Sequence, residues 1–531
     1  MMFPVSSFAG HGKAAMMEQS SGGVLTRKWR HHFLLLPIGV AAALSFYSIA
    51  AKSVWLDEAI SIALARLDWP GMWRAIAAEE PNMALYHVLL HFWLQLGTGE
   101  FAVRSMSAIL AIASIAPVYG IGTRLLGSNT GLIASLLLTV NAFFIRYAQE
   151  ARAYSLVLFL GAASSYLFLR AIERPSGKKW AIYVIVGALS MYAHFFGVWV
   201  IAAHFFAAMV FGNGLVRRRD LIFSHSFIAL LASPLLVPIL SPGSYSNHIG
   251  WLEKPSLGKL ADLFEALTGY GGPVLASVYA VVCSYALLYA VIHRRTPGVR
   301  FIPWRYAFLF SWLFLPVLGS FLFSILLKPI FHFRYLIIAL PALVLIAGDG
   351  VQHIRPAWLK LATLGLLLAL SCPGLVALYR EEEPFIRENW KAATKYVLDN
   401  SEMRDGIVFQ RPFVRNPFEY YFRLLGSPSR APQPVFPSVP WGENGLIPFG
   451  SGGGQRQSTT TSHYDPSKPS RLPHRPQESQ RLWLVLSHDF SKRPLSKDGS
   501  DWLPQNMETK YCLTRETSFP RIRVILYEAC P

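Results

Sequence analysis

The stretch HFLLLPIGVAAALSFYSIAAKSVWLDEAISIALAR, residues 32–66, joins a long apolar run directly to two adjacent acids. The run 32–51 is long enough to cross a bilayer, which takes about 20 apolar residues. Carboxylates beside hydrocarbon are costly unless they have a role there. Asp57 and Glu58 therefore have two interpretations, as helix-start acids at a solvated end or as part of a site at the membrane rim.

The composition of the whole chain is typical of a polytopic α-helical membrane protein. Of its 531 residues, 53% are hydrophobic and 15% are charged, whereas soluble domains carry about 25% charged residues. We expect about 11–13 spans, with eleven preferred, because the run 180–212 is long enough for two spans joined near His194. The apolar runs lie near 32–51, 104–126, 130–146, 153–170, 180–212, 221–240, 272–292, 306–326, 334–350 and 357–378.

The basic residues predict the orientation of these spans. The net charge is +18, and 28 bases but only 14 acids precede residue 380. The bases cluster in short loops, which indicates cytoplasmic loops and anionic lipid rather than nucleic acid. These loops are 170–179, 217–219, 293–300 and 353–360. All four are cytoplasmic if the N-terminus is inside and 82–97 is re-entrant. In the alternative, 82–97 crosses and 180–212 is a single span.

The chain divides into three parts. Residues 1–31 are predicted to be a disordered cytoplasmic tail, and 32–379 a transmembrane module with a large external loop at 52–103. Residues 380–531 should form an external α/β domain, in which NWKAATKYVLD is a helix and GIVFQ, RLWLVLS and RIRVILYE are strands. A Pro-, Gly- and Ser-rich flexible insertion is expected at about 426–480. Whether Cys512 and Cys530 pair depends on an oxidising compartment.

Two further stretches carry polar residues on the side predicted to be external. In EPNMALYHVLLHFW, residues 80–93, His87 and His91 lie four apart, as in a zinc site or as two packed interfacial histidines. In FIRYAQEARAY, residues 144–154, a continuous helix would align Arg146, Glu150 and Tyr154. That face is either a rim ion pair or a wall that binds sugar or phosphate.

A short basic loop lies on the same side, in LKPIFHFRYLIIALP, residues 327–341. Lys328 and Arg334 stand at the ends of two spans, although positive charges are usually cytoplasmic. They either anchor to lipid headgroups or bind the phosphate of a lipid-linked substrate, for which Arg offers a planar fork.

Four stretches together resemble a known family: WLDEA, PNMALYHVLLHFWLQLGTGEFAVR, RYAQEARAY and KPIFHFRYLIIALP. Over residues 30–400 the chain is similar to the GT-C membrane glycosyltransferases that use polyprenyl-phosphate sugars. Within these it resembles bacterial relatives of the dolichyl-phosphate-mannose–protein mannosyltransferases and the lipid A aminoarabinose transferases. Many relatives have PPLY where this chain has PNMALY, which leaves the substrate open.

The resemblance implies a sugar transfer on the outer face of a bacterial inner membrane, with the C-terminal domain periplasmic. The donor would be an undecaprenyl-phosphate sugar, and the acceptor a lipid, glycan or protein. No cofactor is certain, and a divalent metal stays open. The implied catalytic residues are Asp57 as base, Glu58 and Glu150. The implied donor-phosphate ligands are Lys328, Arg334, Tyr335 and Arg104. Further candidates for substrate binding are Asn82, His87, Tyr147, Arg152, Tyr154 and His194.

A transporter or flippase is the alternative. Transporters usually have internal repeats and charges at the membrane midplane. Here the acids and bases collect at one surface, which favours the enzyme.

Overall fold

The computed structural model describes residues 32–78, 80–212, 214–240, 252–292, 302–409, 412–426, 431–436, 481–487 and 511–530. The predicted disordered tail, 1–31, lies outside the described residues, as does most of the predicted insertion at 426–480. The helices of the apolar part are α1 Leu35–Phe46, α2 Leu56–Ala65, α3 Trp69–Ala78, α4 Ala84–Trp93, α5 Glu100–Leu125, α6 Ser128–Thr139, α7 Ala142–Ala148, α8 Tyr154–Glu173, α9 Gly177–Ala193, α10 Gly197–Phe211, α11 Arg218–Ala232, α12 Leu236–Leu240, α13 Gly258–Thr268, α14 Gly272–Ile292, α15 Ile302–Leu326, α16 Leu340–His353 and α17 Ala357–Arg380.

Seven segments of the described chain are helical, long and apolar enough to cross a membrane. They are Glu100–Leu125, Tyr154–Glu173, Arg218–Leu240, Gly272–Ile292, Trp304–Leu326, Phe333–His353 and Ala357–Arg380. The pair α6 and α7, bent by 65°, is an eighth candidate. The helices α1, α9 and α10 are shorter, with 12, 17 and 15 residues. All eleven lie on the predicted apolar runs, and the polytopic α-helical class is confirmed.

The bend between α6 and α7 is fixed by Asn141. Its side-chain oxygen accepts the N–H of Phe144 at 3.0 Å, which caps the start of α7. Its amide group donates to the carbonyl of Leu267 at 2.8 Å. The second short helix then ends at Ala148, which leaves residues 149–153 in a turn at one end of the bundle.

The helices place the unusual polar residues at one end of the bundle. The pairs Arg124–Glu173 and Ser107–Arg152 show that α5 and α8 run parallel, since each pair joins residues near the same end of both helices. Arg152 and the start of α16 lie at the end we call the site end. The predicted cytoplasmic loop 170–179 lies at the opposite end.

The loop 52–103 contains short helices. The helix α4 has ten residues, or about 15 Å at 1.5 Å per residue. It is too short to cross a bilayer of about 30 Å, and it packs against α2, α5 and α9. This agrees with the expectation that 82–97 does not cross.

The C-terminal part has two helices and a five-stranded sheet. The elements are α18 Trp390–Asn400, α19 Arg415–Leu425, β1 Gly406–Phe409, β2 Gln433–Phe436, β3 Arg481–Ser487, β4 Tyr511–Phe519 and β5 Ile522–Ala529. The sheet order is β2-β1-β3-β5-β4, with β1 parallel to β2 and β3 and the remaining pairs antiparallel. The predicted α/β class is confirmed. The expectation that the whole of 426–480 is flexible is wrong for β2, which pairs with β1.

The C-terminal part has a disulfide within its sheet and a packed contact with the loop 52–103. Cys512 and Cys530 form a disulfide between the end of β5 and the start of β4. Hydrophobic residues of α2 share a core with α18, α19 and the sheet. The hydroxyl of Tyr421 accepts the N–H of Val54 at 2.7 Å, and Lys391 pairs with Glu100 at 3.0 Å. The C-terminal part is therefore packed directly onto the loop that carries Asp57.

Candidate active site

Asp57 lies in the first turn of α2 and meets a residue 277 positions later in the chain. Its Oδ2 accepts an N–H of Arg334 at 2.7 Å, and the two side chains are 16% and 12% exposed. Arg334 lies in the 3-10 helix Phe333–Ala339, directly before α16, and its backbone N–H donates to Nδ1 of His332 at 3.4 Å. The sequence singled out both charges separately, and the structure brings them together.

Aromatic rings surround the Arg334 guanidinium. It lies 5.9 Å from the ring centroids of Trp55 and Tyr154 and 5.5 Å from that of Tyr335. A guanidinium over ring faces is stabilised by cation–π attraction without using its N–H donors. The rings therefore hold the charge at the site end while its edge can bind an anion. Tyr335, predicted as a phosphate ligand, contributes a ring to this cage.

A second ion pair supports the backbone of Asp57. Arg152 donates to both oxygens of Glu80, at 2.8 and 3.2 Å, and also to Ser61 and to the carbonyl of Asp57. Burial alone would raise the pKa of Glu80, but Arg152 beside it lowers that pKa to about 2. The pair therefore stays charged and fixes the start of α2.

Three other predicted substrate-binding residues each have a polar atom without a hydrogen-bond partner within the described chain. These atoms are the amide oxygen of Asn82, the hydroxyl of Tyr154 and Nε2 of His194, and all three side chains are buried. Burial and the neighbouring Arg152 and Arg334 lower the pKa of His194 to about 3, so the imidazole is neutral. Its ring lies 4.8 Å from Tyr335. Buried polar atoms in native proteins normally have partners, so a bound hydroxyl-rich molecule would complete these groups.

Glu58 lies in a buried hydrogen-bond network, and its implied catalytic role stays a prediction. Its side chain is fully buried, and its oxygens accept bonds from Arg104, from the N–H of Ala151 at 2.8 Å and from the N–H of Trp55 at 3.3 Å. The last bond caps the start of α2. Although burial raises its pKa, the Arg104 guanidinium holds the pKa of Glu58 below its usual range. Both of its oxygens are therefore bonded to protein groups.

Arg104, an implied ligand of the donor phosphate, bonds only protein groups in this structure. Its five N–H groups make five bonds of 2.7–2.9 Å, two to Glu58 and the others to backbone carbonyls. The carbonyls are those of Ile49, Lys52 and Ser53. Because a guanidinium has five donors and this side chain is fully buried, none remains for a phosphate.

Glu150 also lies away from the surface. Residues 149–153 are not helical, so the predicted alignment of Arg146, Glu150 and Tyr154 on one helix is wrong. The buried carboxylate accepts an N–H of Arg387 at 3.1 Å, and Arg387 also lies 3.7 Å from Glu58. Burial raises the pKa of Glu150. Glu150 is therefore a partner in the buried charge network, and its implied catalytic role stays a prediction.

The chain is similar to one protein family and to several solved structures. Residues 79–242 match the family described as Dolichyl-phosphate-mannose-protein mannosyltransferase. No curated protein sequence matches the chain. The fold is similar to that of ArnT from Cupriavidus metallidurans, in the crystal structure with undecaprenyl phosphate (12% identity, TM-score 0.56) and in the apo crystal structure (12% identity, TM-score 0.57). Both alignments cover 93% of this chain and 98% of ArnT. The archaeal oligosaccharyltransferase AglB from Archaeoglobus fulgidus gives 11% identity and a TM-score of 0.47, over 75% of this chain and 64% of that one.

The resemblance to this mannosyltransferase family is confirmed. That likeness covers residues 79–242, and the similarity to ArnT shows that the chain has the GT-C fold. The match and the fold support polyprenyl-phosphate-dependent glycosyl transfer by a multi-pass membrane protein. The matched segment contains Glu80 and Arg152 but neither Asp57 nor Arg334.

The sequence also predicts Tyr147 and Lys328 as site residues. Tyr147 is buried and packs edge-on against Tyr154, with 4.9 Å between ring centroids. Lys328 is half-buried, two residues after the end of α15, and is not part of the ion pairs above. A role for Lys328 in binding phosphate is still a prediction.

The two histidines with zinc-like spacing do not converge. His87 is buried with its Nε2 3.4 Å from Glu80, and burial lowers the pKa of His87. His91 instead contacts the carbonyl of Ala65 at 2.8 Å. Within the described ranges, no three His, Cys, Asp or Glu side chains are grouped as metal ligands.

Sequence reasoning missed three residues of the site. Trp55 was quoted only as part of a motif, Glu80 only as a neighbour of His87, and Arg387 was not singled out. Glu80 carried a usable signal, since it is an acid next to proline on the predicted external side. Arg387 follows the last span by several residues, and nothing local distinguishes it from other surface arginines.

Proposed function

We propose that this enzyme transfers a sugar from a polyprenyl-phosphate-linked donor to an acceptor at the outer face of the inner membrane, with inversion. The observation that carries the proposal is the meeting of Asp57 and Arg334 at the site end. Both side chains are partly exposed, whereas Glu58, Arg104, Glu150 and Arg387 are buried.

Each of the two groups has a role in an in-line displacement. Asp57 takes the proton of an acceptor hydroxyl or amine as that atom bonds to the anomeric carbon. The bond between the anomeric carbon and the phosphate oxygen breaks, and the polyprenyl phosphate leaves with the electron pair. Arg334 neutralises the charge that develops on the leaving phosphate.

The neighbouring residues position the substrate and the base. Arg152 holds the carbonyl of Asp57 and is itself fixed by Glu80. The free polar atoms of Asn82, Tyr154 and His194 would bond sugar hydroxyls. The donor class is a hexosyl or pentosyl undecaprenyl phosphate, and the acceptor is a lipid, a glycan or a protein.

Two observations support an external, periplasmic location for this end. The clusters 170–179 and 353–360 lie at the opposite end, and short basic loops are normally cytoplasmic. The Cys512–Cys530 disulfide belongs to the C-terminal domain packed at the site end, and disulfides persist in oxidising compartments. We also propose the domain boundary at 379/380. The C-terminal domain and the loop 52–103 nevertheless share a core.

The test is sugar transfer by the full-length protein in nanodiscs. With a polyprenyl-phosphate sugar and cell-envelope acceptors, Asp57→Asn should lower the rate by about 10²–10⁴-fold, as loss of a positioned base does. Asp399→Asn is the matched control, because Asp399 is exposed on α18 and pairs only with its neighbour Lys395 within the described residues. Wild-type activity in Asp57→Asn would refute the assignment of the base.

A further inference from the structure

The observed contact between Asp57 and Arg334 conflicts with the geometry of the transfer. In an in-line displacement the base and the leaving phosphate lie on opposite faces of the anomeric carbon. Here the base accepts a 2.7 Å hydrogen bond from the residue that is proposed to hold the phosphate. In that contact one oxygen of the carboxylate is already bonded, and the guanidinium is not placed on the phosphate.

This pair differs from the other ion pairs near it. Arg104 gives the buried Glu58 two hydrogen bonds, and Arg152 gives the partly exposed Glu80 two. Arg334 gives Asp57 one, and both side chains reach the surface. A pair joined by one hydrogen bond is weaker than a bidentate pair. A phosphate arriving from solvent or lipid can therefore displace this contact more easily than either of the others.

The aromatic cage allows such an exchange of partners. Trp55, Tyr154 and Tyr335 stabilise the guanidinium through ring faces, and this attraction does not depend on which anion binds the edge. Arg334 can therefore turn from a carboxylate to a phosphate without leaving its cage. Asp57 stays where it is, because Arg152 and the start of α2 hold its backbone.

We propose that Asp57 and the donor phosphate compete for Arg334, so that donor binding is the event that releases the base. This inference rests on the proposed function and states how the same site is regulated. Before the donor binds, Asp57 is held by Arg334 and does not activate an acceptor or water. After it binds, Arg334 lies on the phosphate and Asp57 is free. The order of binding is then donor first and acceptor second.

The competition predicts a reciprocal effect on binding, since two groups that share one partner weaken each other's binding to it. The probe is undecaprenyl phosphate, titrated against the full-length protein in nanodiscs by thermophoresis. Asp57→Asn should bind it about tenfold more tightly than wild type, a change equal to about 1.4 kcal/mol. Arg334→Gln should bind it more weakly. Asp399→Asn should match wild type.

The double variant separates competition from simple repulsion. If Asp57 only repels the phosphate, Asp57→Asn will tighten binding by the same factor in the Arg334→Gln background. If the two compete for Arg334, the tightening is absent in that background, as a double-mutant cycle reports. Equal tightening in both backgrounds would overturn the proposal. A thermal unfolding curve for each variant confirms that it is folded.

The outcomes also separate this proposal from the proposed function. If the wild type transfers sugar and Asp57→Asn does not, but both bind undecaprenyl phosphate equally, the function stands and the competition is refuted. In that case Arg334 orients Asp57 throughout the reaction. If the wild type neither binds the lipid phosphate nor transfers sugar, both proposals fail.

Discussion

Neutralising Glu58 should destabilise the protein, whereas neutralising its neighbour Asp57 should not. In Glu58→Gln the buried Arg104 loses its counter-charge, although its three bonds to backbone carbonyls remain. In either orientation the glutamine NH2 also faces an Arg104 donor, together with the N–H of Ala151 or of Trp55, and all of these donate to Glu58 in the wild type. Removing one partner of a buried ion pair costs about 3–5 kcal/mol. The three surviving bonds place this variant near the lower value, about 3 kcal/mol.

The assay is thermal unfolding of the purified protein, with Asp57→Asn as the matched control. For a folding unit of 150–250 residues, about 3 kcal/mol lowers the midpoint by about 6–12 °C. The loop 52–103 and the C-terminal domain, which share one core, form a unit of that size. Asp57→Asn should unfold close to wild type, because its ion pair is partly exposed. A Glu58→Gln variant that is as stable as wild type would refute this account of the buried network.

Two other variants test the electrostatics through pH. Because the pKa of Glu80 falls from 4.5 to about 2 on folding, its contribution to stability is complete above pH 4.5 and is lost as the pH falls towards 2. Unfolding midpoints of Glu80→Gln should therefore depend less on pH in that interval, and a curve parallel to wild type would contradict the assignment. Burial lowers the pKa of Lys52 from 10.5 to about 7, so wild-type stability should rise with pH between these values. Lys52→Met should remove that rise, and an unchanged slope would show that Lys52 is not its source.

The sequence predicts the partly exposed charged residues of the site better than its buried ones. Asp57 and Arg334 were found because charged residues at the ends of apolar runs are unusual and both lie on the predicted external side. Their contact could not be predicted, because 277 positions separate them. The difference between Asp57 and Glu58 was equally hidden. The helix LDEAISIALA has no polar face that would show which acid points inward, and the deciding partner, Arg104, lies 46 positions away.

Local propensity misled the prediction at residues 149–153. The sequence AQEARAY consists mainly of good helix formers, so a continuous helix was the natural expectation. In the structure the N–H of Ala151 donates to Glu58 at 2.8 Å instead of to a helical carbonyl. A bond to a buried carboxylate is stronger than one to a neutral carbonyl, so the tertiary contact overrides the propensity. The short strand β2 was missed because it pairs only at the edge of the sheet and contains Pro434, which lacks an N–H group.

The segment that matches the mannosyltransferase family and the groups proposed to act on substrate are largely different parts of the chain. Residues 79–242 supply Glu80, Arg104 and Arg152, which pair with the acids and bases around them. The proposed base precedes this segment, and Arg334 follows it. Arg387 comes after the last span and contacts both Glu150 and Glu58. Because Glu58 is covalently next to Asp57, the C-terminal part helps to hold the base in place. A chain that ends after α17 would therefore lose the fourth member of the buried charge network as well as the core under α2, and with them the geometry of the site.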